Sequence, residues 1–176
     1  PEALSVGSSG TGIRRAEART AGDEAVGSRS VTGGACGDGL EDELAANESG
    51  TYTLTISYTG SGDGTMLDYA ALSGGTGNVA PWNDQAENIT AVVIENGVVS
   101  IGSNAFVNCT SLPGVTLPES VTSIGEYAFY GCTALASINI PSGVTSISAH
   151  TFSNCTALTD ITIPDGIGSI GANAFA

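Results

Sequence analysis

Lysine is absent from this sequence, and histidine, tryptophan and methionine occur once each. The four arginines (Arg14, Arg15, Arg19 and Arg29) all precede residue 30, so the remainder of the chain has neither Lys nor Arg. Against them stand 18 Asp and Glu residues, for a formal net charge of −14. A protein that grips a phosphate backbone or an anionic membrane surface needs clustered cations. Nucleic acid is thereby excluded as a partner. Long hydrophobic runs are missing too: the longest, around residues 91–94, is far below the roughly 20 residues of a membrane-spanning helix. No membrane insertion is expected.

Charged residues in total reach only 12%, while 41% are hydrophobic and 25 are glycine. That balance indicates a β-rich folded protein rather than a disordered acidic tail. With 176 residues there is room for one domain or a short array of repeats.

Recognisable catalytic chemistry is also lacking. There is no Gly-x-Ser-x-Gly, no His-Glu-x-x-His and no phosphate-cradling glycine loop. His150, the sole histidine, reads as an exposed loop residue. Cys109, Cys132 and Cys155 lack the closely spaced ligand pair of a zinc site, and read instead as small buried residues. Cys36 stands apart and could be buried, free or paired. The run Glu41-Asp42-Glu43 reads as a solvated loop cluster, and residues 60–68 form one imperfect copy of a calcium-binding nonapeptide that needs consecutive copies to work. Four Asn-x-Ser/Thr sequons begin at Asn47, Asn88, Asn108 and Asn154. We expect no enzyme activity, no cofactor and no metal.

What the sequence does contain is a period. Phe106, Phe129, Phe152 and Phe175 are 23 residues apart at each step, as are Ile101, Ile124, Ile147 and Ile170. Cys109, Cys132 and Cys155 keep the spacing. So do Ile89, Leu112, Leu135 and Leu158; Val92, Val115, Ile138 and Ile161; and Ile94, Leu117, Ile140 and Ile163. Within one unit, Val115 and Leu117 alternate with Thr116 as a strand does, Pro118 ends it, and Val121 to Ile124 form a second extended leg. Gly125 then opens a turn into a helical or 3₁₀ piece carrying Ala128 and Phe129. Such a unit cannot enclose its own apolar positions, but stacked units place Leu on Leu and Phe on Phe. The columns begin at Ile89 and supply three full coils and most of a fourth. The last unit stops short of its Cys position, so we expect the chain to be a piece of a longer one.

The pattern Leu-x-x-Val-x-Leu-Pro-x-x-Val-x-Ser-Ile-Gly-x-x-Ala-Phe-x-x-Cys resembles the BspA-like, or Treponema pallidum type, leucine-rich repeat. The resemblance covers residues 89–176. It implies an α/β fold class: a leucine-rich-repeat solenoid, a β-rich horseshoe-type coil with 23-residue repeats. Upstream, Ala35-Cys36-Gly37-Asp38-Gly39-Leu40, Thr53-Leu54-Thr55-Ile56-Ser57 and Ala80-Pro81-Trp82 resemble the small β-rich N-terminal capping module that often precedes such repeats. The inserts at 61–65 and 71–78 are longer than that module usually carries. Three zones result: residues 1–34 as a linker or tail, 35–88 as the capping module and 89–176 as the repeats. Residues 51–57 read as a half-buried strand, and Trp82 as a plug for the apolar end of the stack, its other reading being a sugar-stacking platform.

Proteins of this resemblance are bacterial, secreted or held at the cell surface, and associated with attachment to host matrix or other cells. The implied function is a non-catalytic adhesion module for a protein or glycan ligand. The other reading is a structural spacer in a larger surface protein whose enzyme or anchor domain lies elsewhere. If the apolar columns point inward, Gly114, Thr116, Ser137, Asn139, Asp160 and Thr162 alternate outward onto one continuous face, the candidate binding face. Ala91 and Val93 extend it toward the N-terminus.

Overall fold

The computed structural model describes residues 30–71 and 79–176. The expected tail therefore lies outside the described residues up to residue 29. Its boundary with the capping module, expected between residues 34 and 35, falls inside a strand.

That strand, β1 (Ser30–Gly37), pairs antiparallel with β2 (Leu40–Ala46), and β2 pairs antiparallel with β3 (Tyr52–Tyr58). In β3 the alternation buries Leu54 and Ile56 and leaves the intervening threonines half-exposed. The first repeat strand, β4 (Ile89–Ile94), joins the same sheet parallel to β3, with Leu54 opposite Val92 and Ile56 opposite Ile94. The N-terminal module thus covers the open backbone edge of β4, which would otherwise offer unpaired N–H and C=O groups.

From β4 the chain builds two rows of short parallel pairs. In one row Val93 bridges to Thr116, and β6 (Gly114–Val115) pairs with β8 (Ser137–Ile138). In the other, β5 (Ser100–Ile101) pairs with β7 (Ser123–Ile124), and β9 (Ser146–Ile147) pairs with β10 (Ser169–Ile170). Every one of these repeat-to-repeat partners is 23 residues from its mate. The insert at 61–65 has a role in the second row: Thr65 bridges to Ser100, and Met66 to Gly37, so it forms the first rung.

The corners are turns, not helices, which departs from the helical or 3₁₀ expectation at each repeat. Alternate amides bond locally, as Ala105 N–H to the Gly102 carbonyl and Val107 N–H to that of Asn104. The amides between them leave the coil: Asn104, Phe106 and Asn108 donate to the carbonyls of Glu126, Ala128 and Tyr130. The same alternation recurs from Tyr127 to Gly131 with acceptors at Ala149, Thr151 and Ser153. Half of the donors a helix would use are committed to the neighbouring unit. Among the described residues the only helix is a 3₁₀ segment, Asn83–Asn88, so the molecule is strand-rich and the α in the expected α/β class is slight.

One continuous core runs through module and repeats. Trp82 is buried, stacks on Phe106 at 6.0 Å, and donates its indole N–H to the Ala105 carbonyl at 2.8 Å. Phe106, Phe129, Phe152 and Phe175 follow, with centroids 5.2–5.7 Å apart and planes within 19° of parallel. Buried in this way, the Trp82 ring is closed to a sugar.

Candidate functional site

The outward alternation along β4, β6 and β8 and the residues just after them places Thr116, Ser137 and Asn139 in solvent, with Gly114 half-exposed and Val93 46% exposed; Asp160 and Thr162 are also exposed, in a stretch that forms no strand. Their inward neighbours Val92, Val115, Ile138 and Ile140 are buried. The six candidate residues line two adjoining shallow depressions of about 620 and 560 Å³. The structure thus brings them together on one side of the chain. Asp160 is the sole charge among them, and no large aromatic rises from the face.

Asn139 has a second occupation that its outward position hid. Its side-chain oxygen accepts the Leu117 N–H and its amide nitrogen donates to the Leu117 carbonyl, both at 2.8 Å. The side chain therefore acts as a clamp between adjacent units. The sequence signal, a polar residue at an outward strand position, is the same for a clamp as for a ligand contact.

A second concave region, of about 740 Å³, lies along the corners that precede the phenylalanines. Tyr127, Tyr130, His150, Asn104, Asn173 and Glu126 contribute to its walls. His150 is not the exposed loop residue expected: it is half-buried and its ring stacks on Tyr127 at 4.6 Å with planes 6° apart. Tyr130 meets Tyr127 at 5.7 Å with a tilt of 57°. The Asn173 amide nitrogen lies 3.4 Å from Nε2 of His150.

The thiols do structural work. Cys109, Cys132 and Cys155 are buried and free, and the Sγ of Cys132 and Cys155 donate to the carbonyls of Phe106 and Phe129 at 3.1 Å. The adjoining Cys109 thiol, together with burial, holds Cys132 well above the usual thiol range; Cys132 and burial do the same for Cys155. Thiolates are disfavoured at Cys132 and Cys155, which works against nucleophilic chemistry at these two positions. Cys36 is also buried and free, and burial, aided by the negative charge of Asp42, pushes it up to about 12.

The acidic run at residues 41–43 is not a loop. It lies on β2, where Glu41 and Glu43 point to solvent and Asp42 is buried between Leu40 and Leu44. Burial raises the Asp42 carboxyl to about 6, and its Oδ1 has no hydrogen-bond partner. In the nonapeptide-like stretch, Asp63 accepts the Thr65 N–H at 2.9 Å and Asp68 accepts the Ser103 N–H at 2.6 Å. These carboxylates cap backbone amides and tie the insert to the repeats. Among the described residues, no three His, Cys, Asp or Glu side chains gather as a metal site would require.

The repeat columns have a counterpart among known protein families. The BspA-type leucine-rich repeat region matches residues 84–176 in 6 copies. The chain belongs to the BspA-type leucine-rich repeat family. Among solved structures it is similar to a leucine-rich repeat protein of Eubacterium ventriosum, with 27% identity, a TM-score of 0.54, and coverage of 73% of this chain and 37% of that one. It is also similar to the leucine-rich repeat protein of T. pallidum, with 29% identity, a TM-score of 0.44, and coverage of 77% and 53%. A Bacteroides ovatus leucine-rich repeat protein shares 28% identity at a TM-score of 0.45, with coverage of 78% and 31%. The chain spans about half the length of these solved proteins or less. No curated protein matches. The family is a repeat scaffold rather than a catalytic one, and its solved relatives are bacterial.

Proposed function

We propose that this chain is a non-catalytic binding or adhesion module, secreted or held at a bacterial cell surface. Residues 89–176 form a solenoid of 23-residue coils, residues 35–88 cap it, and the strand face offers its ligand site. The observation that carries this reading is the joining of Gly114, Thr116, Ser137, Asn139, Asp160 and Thr162 into two adjoining depressions across successive coils. A protein or glycan of the host matrix, or of another cell, is the ligand class. One observation favours a spacer instead: the face carries none of the Trp, Tyr or Arg anchors that dominate most interfaces. Contacts there are weak one by one, and useful affinity comes from several coils or copies acting together.

The test is an immobilised panel of matrix proteins and glycans probed with the chain displayed in many copies. Thr116→Arg combined with Thr162→Arg adds bulk and charge to the face while leaving the Asn139 clamp in place. Binding that the double variant abolishes, with an unchanged melt, supports the strand face. Binding that survives it removes that face as the site, and binding to nothing on the panel supports the spacer.

A further inference from the structure

The backbone passes through the left-handed region at seven non-helical corner positions of the repeats: Asn104 (φ 59°), Asn108 (58°), Tyr127 (57°), Gly131 (72°), His150 (56°), Asn154 (61°) and Asn173 (53°). Asn and Gly tolerate that region, whereas a bulky side chain there is an outlier that costs stability. Six of the seven positions carry types enriched or tolerated there, His included. The exception, Tyr127, shares one column with Asn104, His150 and Asn173, so the same corner is built elsewhere in this chain without a tyrosine. Folding does not require an aromatic ring at this place. Strain retained where the chain itself has a relaxed alternative points to a use for the side chain.

We propose that the corner groove is a binding site for a cationic side chain, arginine above all, presented by a protein partner. Tyr127 and His150 are stacked on each other, and the tilted Tyr130 ring beside them makes an angled aromatic wall. Glu126, exposed at the same groove, supplies a carboxylate, and the Tyr hydroxyls and Asn side chains supply further acceptors. A guanidinium is planar, stacks on aromatic rings and forms paired hydrogen bonds with a carboxylate, which is the chemistry gathered here. Charge agrees: the described residues contain no Lys or Arg, and the chain carries −14 overall, so a basic partner is drawn in and an acidic one repelled. The inference extends the protein-binding branch of the proposed function, on a different surface from the strand face.

A capped tetra-arginine peptide, its citrulline counterpart and chitotriose, each titrated into the ¹⁵N-labelled chain near neutral pH, test the proposal. The arginine peptide is expected to shift the signals of Tyr127, Tyr130, His150 and their neighbours, and the uncharged citrulline peptide to leave them in place. Tyr127→Asn with His150→Asn, which installs the residue the column carries elsewhere, should weaken the peptide about three- to thirtyfold while the melting temperature stays or rises. Glu126→Gln, at an exposed position, should also weaken it and serves if the double variant misfolds. Shifts spread evenly over the acidic surface, undiminished binding in these variants, or response to chitotriose in place of the arginine peptide would each overturn the proposal. Thr116→Arg with Thr162→Arg separates the two sites: it should abolish panel binding at the strand face and spare peptide binding in the groove.

Discussion

Asp42 sits on a strand between two buried leucines, with one carboxylate oxygen unpartnered. Burial raises its pKa to about 6 from 3.8. Between these values the folded chain holds a proton that the unfolded chain has released, so stability declines as pH rises from about 4 to about 6. A gap of two units corresponds to at most about 3 kcal/mol. Asp42→Asn should therefore raise stability near neutral pH and flatten this part of the profile, since the amide cannot ionise. Urea melts of both proteins near pH 5 and near pH 7 measure it. If the substitution leaves the difference between the two pH values unchanged, the carboxyl is not the source. From the sequence, three consecutive acids looked solvated; only the pairing of β2 between two other strands determines which of them turns inward.

At the scale of the element, what holds each coil is its neighbour. A turn ladder and one or two short parallel bridges connect each unit to the next, Asn139 adds a side-chain tie between two of them, and no unit has a core of its own. Replacing Asn139 by Ala removes both bonds to Leu117 and leaves that amide and carbonyl to find water at the face. A loss of about 1–2 kcal/mol is expected in urea melts, and a loss below measurement would mean that the clamp is not held in solution. Phe129, fully buried between Phe106 and Phe152, should cost about 3–5 kcal/mol as Phe129→Ala. Phe175, 42% exposed, should cost much less, and equal losses would contradict the stacking order.

The columns could be read in advance because a fixed spacing leaves few arrangements in which Leu112, Leu135 and their equivalents are all buried. The outward set at Gly114, Thr116 and their equivalents follows from the same alternation, although its use as a site does not. The corners were less legible. A helical signature depends on successive amides bonding within the coil, and here alternate amides bond to the next coil, which no local pattern records. The left-handed geometry of Tyr127 and His150 had one visible sign, their place in a column with Asn104 and Asn173. The start of β1 at Ser30 had none, because glycine-rich sequence resembles a linker until its partner strand is known.

For the molecule as a whole, a capped stack without Lys or Arg in its described part presents an acidic, largely small-residue exterior. The strand face and the corner groove run along the same coils, so both exist only if successive units stack in register. The most direct test of that register uses the phenylalanines, because the sequence has only four and all lie in one column. With phenylalanine alone isotope-labelled, nuclear Overhauser contacts between rings should link Phe106 to Phe129, Phe129 to Phe152, and Phe152 to Phe175, whose ring centroids lie 5.2, 5.7 and 5.5 Å apart. No contact should skip a coil. A Phe106–Phe152 contact, or the absence of contacts between successive rings in the folded protein, would contradict the stack and with it both surfaces.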